Sequence, residues 1–400
     1  MQIIKREYYL EKLRNLRDKQ IIKILTGVRR CGKSTLLQMF IDEIKSQGVN
    51  EDEIISINLE DYENISLRNP DTLHRYISSM LSKDKMTYIF IDEIQHVERY
   101  ADVIDSLFIK PNTDIYVTGS NAYMLSSEIA TLLSGRYVEI KVTPLSFKEY
   151  ASACNDHTSL QDIYIDYVSY GSFPYIVNLR DNKTVISDYI EGIYNTIVMK
   201  DVIQRGHFND SVTLESVIKF VADNIGNIFS TKKVADTLSS YGRKTDVKTV
   251  EKYLKALTES FIIYKVPRYN IKGRQLLKTL EKYYLVDVAL RKYLLGTKTT
   301  DVGHILENVV YLELLRRHKQ VYIGKVDTLE IDFIATDENQ ITYYQVSASV
   351  RDENTLKREL APLKAIKDSY PKFLLTLDDD PEEDYEGIKK LNAVKWLSGS

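Results

Sequence analysis

Residues 27–35, "GVRRCGKST", match the pattern G-x-x-x-x-G-K-[ST] at each fixed position. Gly27 and Gly32 let a loop wrap a phosphate with no Cβ in the way. Backbone N–H groups then face the phosphate oxygens, and the helix that follows adds the positive end of its dipole. Lys33 is expected to reach the β- and γ-phosphates, and Ser34 to hold Mg²⁺. Val28, Arg29, Arg30, Cys31 and Thr35 complete the stretch expected to surround the phosphates. Arg29 and Arg30 either neutralise phosphate or pair with acids elsewhere. Cys31 is a small loop filler, or a thiol whose oxidation blocks binding.

Three later stretches offer partners. "YIFIDEIQ" is an apolar run ending in Asp92 and Glu93. Open α/β sheets bind ligands at the C-terminal ends of their strands, which is where Asp92 would sit. Asp92 is expected to fix Mg²⁺, directly or through water. Glu93 is expected to orient or deprotonate the attacking water. The competing reading is a pair of acids that caps the next helix. "VTGSN" (117–121) offers Ser120 and Asn121, with Thr118 behind them, to sense the γ-phosphate or position the water. An ordinary polar turn favours the same residues. Arg136, in "LSGRYVEI", precedes the last strand of this region. It is either an arginine that stabilises transferred charge, in cis or across a subunit contact, or a surface arginine at a strand start.

The elements that must position these residues are legible as a pattern. "IIKILTG", "IISINLE", "TYIFIDE", "DIYVTGS" and "YVEIKV" read as strands, with helical spacing between them, as in "STLLQMFIDEIKSQ". Alternating strand and helix predicts a parallel sheet covered on both faces. From 144 to about 210 the chain reads as helical, interrupted at "GSFP" (171–174). Residues 211–300 hold 17 Lys and Arg against 8 Asp and Glu, a balance of +9 in a chain whose net charge is −3. That asymmetry marks a local basic surface, not a generally basic protein. The two cysteines, Cys31 and Cys154, exclude a disulfide framework and fit a reducing cytosol. The charged N-terminus does not read as a secretory signal, and no apolar run nears the ~18 residues of a membrane span.

Residues 1 to about 210 resemble the AAA ATPases of the prokaryotic ATP-binding protein group. The resemblance rests on "GVRRCGKST", "FIDEIQ", "TGSN", "SGRYVEIKVTPLSFKEY" and "YGSFP", and it extends over the whole chain. It implies a P-loop sheet of order 5-1-4-3-2, a helical lid, ATP as ligand and Mg²⁺ as cofactor. By that similarity Lys33, Ser34, Asp92, Glu93 and Asn121 take the loop, metal, base and sensor roles, and Arg136 the arginine-finger position.

The basic middle resembles a winged helix-turn-helix. "STKKVADTLSSYGRKTDVKTVEKYLKAL" (230–257) gives two helices, and "FIIYKVPRYNIKGRQLLK" a hairpin with a basic tip. Such a module sets its second helix in the major groove and holds it by phosphate contacts. Lys248, Lys252 and Lys255 lie on or near that helix, and Arg268, Lys272 and Arg274 in the wing. The region 230–280 is therefore a DNA surface or a protein-contact module.

"GHILENVVYLELLRR", "EIDFIA" and "YYQVSASV" resemble the restriction-endonuclease-like fold in their order. Active members place an acid on the helix, an acid on one strand and an acid-x-lysine on the next. Glu307, on a helix that also carries Glu313, and Asp332 match. Gln345 and Ser347 stand where the third acid and the lysine belong, and Lys325 and Lys357 are the candidate substitutes. The expected architecture is thus α/β. It has an ATPase core at 1–143, a helical lid at 144–210, a winged helix at 211–300 and a degenerate nuclease-like domain at 301–400. The expected activity is Mg²⁺-dependent ATP hydrolysis, with DNA or a protein as partner, or assembly into a homo-oligomer. The competing functions are a nucleotide switch with negligible turnover and an ATP-dependent DNA nuclease.

Overall fold

The computed structural model describes residues 2–122, 133–154, 157–180, 182–204, 206, 208, 210–243, 245–296, 302–338 and 340–399, the side chains of 278 and 279 excepted. The chain divides into two compact units. One comprises Ile3–Pro144 with Glu259–Phe261, and the other Met1–Gln2, Leu145–Thr258 and Ile262–Ser400.

The first unit opens with α1 (Glu7–Leu16), then alternates β1 (Ile22–Thr26), α2 (Lys33–Ser46), β2 (Ile54–Asn58), α3 (Pro70–Met80), β3 (Thr87–Asp92), α4 (Tyr100–Phe108), β4 (Thr113–Gly119) and β5 (Tyr137–Lys141). The sheet is parallel throughout, in the order β2-β3-β4-β1-β5. This is the expected 5-1-4-3-2 order of a P-loop NTPase. β1 and β3 are buried at every position because helices cover both faces, while the edge strands β2 and β5 are only part-buried. On one face Phe40 of α2 packs on Phe90 of β3 and Tyr116 of β4, and the latter two rings stack at 4.7 Å. That cluster fixes the helix bearing Lys33 and Ser34 to the central strands.

The second unit begins with α5 (Phe147–Ala151), α6 (Leu160–Tyr170) and α7 (Lys183–Thr196). A π-helical stretch (Ile197–Gln204), α8 (Ser211–Asp223), α9 (Thr231–Ser240) and α10 (Val247–Glu259) follow. Then come β6 (Ile263–Asn270), β7 (Gln275–Leu285), α11 (Val288–Leu295), α12 (Val302–Arg317), β8 (Gln320–Val326), β9 (Leu329–Thr336), β10 (Ile341–Ser347), α13 (Glu353–Lys364), β11 (Lys372–Thr376), β12 (Glu383–Tyr385), β13 (Ile388–Asn392) and α14 (Ala393–Ser398). Asp287, wholly buried before α11, accepts hydrogen bonds from the backbone N–H (2.5 Å) and hydroxyl (2.7 Å) of Ser172 in "YGSFP". The turn is thereby tied to α11, which packs on α6, α7 and α8.

Three expectations change here. The hairpin β6–β7 does not stand alone as a wing, because β6 pairs in parallel with β8. One eight-stranded sheet, β12-β13-β11-β10-β9-β8-β6-β7, therefore runs across the boundary expected at residue 300. "QVYIGKV", not expected as a strand, is β8 at the centre of that join. The acidic run 378–386 also takes part in the fold. Residues 383–385 form an edge strand, and buried Asp378 accepts the Val350 N–H at 2.8 Å.

Candidate functional site

β1 ends at Thr26 and the chain turns at once into the loop. Gly27 has φ +151°, and a Cβ there would lie 2.0 Å from the Val142 carbonyl oxygen, so no other residue fits without displacing β5's exit. Gly32, at φ +97°, caps α2 in the left-handed conformation that glycine adopts at least cost. Lys33 is 3 % exposed and its ammonium donates to the carbonyls of Gly27 (3.0 Å) and Val28 (3.2 Å). It also lies 3.7 Å from the Glu93 carboxylate.

The register of the sheet brings the other expected residues to the same edge. Asp92 ends β3 and Glu93 follows it in the left-handed conformation, φ +56°. Thr118, near the end of β4, joins them: its hydroxyl accepts the Glu93 N–H at 2.8 Å and donates to the Asp92 carboxylate. Ser34 lies near enough to Asp92 to favour its charged form. Burial pushes the Asp92 carboxyl up, against the lowering effect of the Ser34 and Thr118 hydroxyls. For Glu93 burial again pushes up, but the Lys33 ammonium and the Gln95 amide outweigh it, and the net direction is down. Gln95 donates to Glu93 and to the Ser120 hydroxyl (3.2 Å). Asn121 follows directly and is 5 % exposed.

Arg29 and Arg30 separate here. Arg29 donates to Glu60 at 2.8 Å, while Arg30 is exposed in a left-handed turn. Cys31 is wholly buried, and burial pushes its thiol up, so it fills the loop and is not a reactive thiolate. Glu60, Glu93 and His96 bring potential ligand atoms within 4.8 Å of one another. Burial and then Arg68 push the His96 imidazole down, and Arg29 already occupies Glu60. Those arginines disfavour a second cation in that corner.

Arg136 is elsewhere. Its carbonyl accepts the Ile22 N–H at 2.8 Å, and Tyr137 pairs with Ile22 while Lys141 pairs with Thr26. It thus sits at the N-terminal end of β5, about 16 Å along the strands from the loop at ~3.3 Å per residue. Its guanidinium pairs with Asp105 and lies 5.8 Å from the Phe108 ring. The sheet thus places Arg136 at the end of the strands opposite the loop.

The second unit gathers its own charged group. The Lys282 ammonium, on β7, lies 2.9 Å from Glu307, 2.8 Å from Glu330 and 3.6 Å from Asp332. The Tyr284 hydroxyl donates to Glu307 at 2.5 Å. Asp332 accepts the Val346 N–H at 2.9 Å, and Gln345 donates to Glu359 of α13 at 2.9 Å. Lys357 is exposed and pairs with Glu353, and among the described residues Lys325 makes no ion pair with these acids. Glu313 is taken by Arg316 and Arg317. The lysine that reaches these acids is Lys282, which lies outside the segment that suggested the fold.

On α10, Lys248, Lys252 and Lys255 are exposed, and Val250, Tyr253, Leu254 and Leu257 are buried. Of the hairpin residues, Lys272 is paired with Asp327 at 2.7 Å, Arg274 is exposed in a left-handed turn, and Arg268 is half-buried within β6. Among the described residues no helix is long and apolar enough to cross a membrane.

A parallel 5-1-4-3-2 sheet with a glycine loop leading into a helix, and two carboxylates at the end of a neighbouring strand, defines the P-loop NTPase class. A family described as an AAA domain matches residues 19–151, and a domain of unknown function matches residues 161–301. An uncharacterized protein of Haemophilus influenzae is 41 % identical over 401 residues, covering 99 % of this chain and 98 % of its own. Another from Methanocaldococcus jannaschii is 28 % identical over 364 residues, covering 87 % and 79 %. A Walker-type ATPase of Pyrococcus abyssi shares the fold with a TM-score of 0.53 at 18 % identity, over 73 % of this chain and 96 % of its own. The chain belongs to the prokaryotic AAA-type ATP-binding proteins.

Proposed function

We propose that the protein is a Mg²⁺-dependent ATPase. The observation that carries this reading is the Thr118 hydroxyl, which holds both Asp92 and the Glu93 backbone while those acids lie beside Ser34 and Lys33. The donors fit the metal: the Ser34 hydroxyl and the Asp92 carboxylate, both hard oxygens near one another, would hold it. When bound, Mg²⁺ supplies positive charge to the β- and γ-phosphate oxygens. Lys33 exchanges two loop carbonyls for phosphate oxygens. Glu93 takes the proton of the water whose oxygen bonds to the γ-phosphorus; the bond from that phosphorus to the ADP oxygen breaks, and phosphate leaves. Asn121, beside Ser120, holds the water or the γ-phosphate. Phosphate release by the full chain should stop in EDTA and resume with excess Mg²⁺. Release no faster than the uncatalysed reaction in Mg²⁺ would sink the reading.

Arg136 then acts only in trans, in a homo-oligomer. On that reading wild-type specific activity rises with protein concentration, and Arg136→Ala lowers the saturated rate ~10-fold or more at unchanged ATP affinity. A concentration-independent rate together with a neutral substitution would remove Arg136 from the mechanism.

α9, α10 and the β6–β7 hairpin follow the helix–helix–hairpin order of a winged helix, and we assign the α10 lysines to DNA phosphates. Binding of a short duplex is expected to weaken with log salt, and Lys252→Glu to weaken it further and flatten the slope. No mobility shift at low salt would leave α10 as a protein-contact face. The cluster around Lys282 we assign as a nuclease-like site closed by its own ammonium. Plasmid DNA incubated with Mn²⁺ and ATP should stay intact; cleavage that Asp332→Ala abolishes would overturn this.

A further inference from the structure

Arg6 lies outside the phosphate-binding motif, 25 residues before Cys31, yet it is built into that loop. It is 3 % exposed. Its guanidinium donates to the Cys31 carbonyl at 3.1 Å, and from its other terminal nitrogen to the carbonyls of Thr143 (3.0 Å) and Pro144 (3.4 Å). The guanidinium carbon lies 4.6 Å from the centre of the Tyr9 ring. The Tyr9 hydroxyl in turn accepts the Thr143 N–H at 3.1 Å and bonds the Thr143 hydroxyl at 3.1 Å. Arg6 also starts α1, its carbonyl accepting the N–H groups of Tyr9 and Leu10 at 3.0 Å. The fork is therefore held by a helix start and an aromatic face, and it bolts the loop to the segment that leaves β5.

The planarity of the peptide bond gives this contact a direction. In a trans peptide the C=O and the following N–H point opposite ways. A Cys31 carbonyl drawn toward Arg6 therefore turns the Gly32 N–H away from Arg6. That N–H has no acceptor among the described residues, and it sits at the N-terminus of α2. A buried guanidinium also adds positive potential beside Lys33, as the downward influence of both cations on the Cys31 thiol indicates.

We propose that Arg6 is a positioning residue of the phosphate site: it fixes the Cys31–Gly32 peptide so that the Gly32 N–H faces the bound phosphates. The role rests on the ATP-binding reading, but part of its test does not. Lysine at this position keeps the charge and can hold one carbonyl, but it lacks the fork that holds two sets at once. Arg6→Ala should weaken ATP and ADP binding about 10- to 100-fold, with Arg6→Lys in between, while competition by adenosine stays unchanged. Loss of adenosine competition to the same degree would show a general structural role and overturn the assignment. Independently of nucleotide, backbone amide exchange in residues 27–35 should speed up in Arg6→Lys, with the unfolding midpoint of the full chain near wild type. If the wild type binds no ATP but exchange still accelerates, the ATP reading fails and the hold of Arg6 on the loop stands. If exchange and nucleotide affinity both match wild type in Arg6→Lys and in folded Arg6→Ala, the proposal is wrong.

Discussion

Glu93→Gln is expected to slow ATP hydrolysis by about 10²- to 10⁴-fold while leaving ATP bound. The amide has the carboxylate's shape, so its oxygen still accepts the Gln95 hydrogen bond, and the backbone N–H still reaches Thr118. What is lost is the basic oxygen that accepts a proton. Losing the negative charge 3.7 Å from Lys33 leaves that ammonium more available to phosphate, so affinity should hold or rise. The direction of the Glu93 shift adds a pH prediction. Lys33 and Gln95 outweigh burial and hold the carboxyl below its usual range, so it is already ionised at neutral pH. The acid limb of the wild-type rate should therefore fall below the ordinary carboxylate range, and the rate should be flat through neutrality on that side. Phosphate release measured alongside equilibrium binding of labelled ATP decides the matter. An unchanged rate excludes Glu93 as the base; a rate and an affinity that fall together make it a support of the loop instead.

The second large effect is on stability. Lys282→Met is expected to destabilise the chain by about 3–5 kcal/mol, the usual cost of removing one partner from a buried ion cluster. Lys282 is 3 % exposed at its side chain, and Glu307, Glu330 and Asp332 all converge on it. Burial pushes the ammonium down, but the three carboxylates outweigh it and keep it charged. Without it, nearly inaccessible Glu307 has no cation to offset its desolvation, and it is repelled by Glu330 at the rim and by Asp332 once that ionises. Adding Asp332→Asn should recover part of the loss at pH 8 and above, where Asp332 begins to ionise, and little at lower pH. Asp332 also gives the cluster a pH signature. Burial first, then Glu307, push its carboxyl up to about 8. A carboxyl raised on folding contributes its stability below its unfolded value, near 4, and loses it as pH rises through its folded value. The unfolding midpoint of wild type, compared with Asp332→Asn, should therefore fall between pH 4 and pH 8. Urea unfolding of the four proteins at both pH values tests this. A loss under about 1 kcal/mol in Lys282→Met would show that the cluster is wet and well screened.

The two sites differ in how much of each the sequence displayed. Residues 27–35 form one continuous stretch, and a loop between a strand and a helix owes its shape to its own glycines. Asp92, Glu93 and Asn121 were legible for a related reason. In a parallel sheet every strand ends on the same side, so a polar residue at each strand's end needs only the strands to be recognised. Gln95 stood in plain view in "FIDEIQ", two residues past Glu93, and its polar type beside an apolar strand was the only signal of its role.

Tertiary structure alone decided the rest. Arg136 looked close to the site because it lies 15 residues after Asn121, but it starts a strand whose far end meets the loop, and only the pairing of Tyr137 with Ile22 shows this. Lys282 could not be connected to Asp332 before β6 was seen to pair with β8 and carry its hairpin into the C-terminal sheet. Arg6 reaches Cys31 and Thr143 across 25 and 137 residues, with no periodicity to announce it. The sequence by itself determined the phosphate loop, the acids beside it and the alternation that makes the sheet, because each depends on neighbours along the chain. Strand register and the partners of buried charges were decided by the fold, because they depend on which distant segments pack together and exclude water.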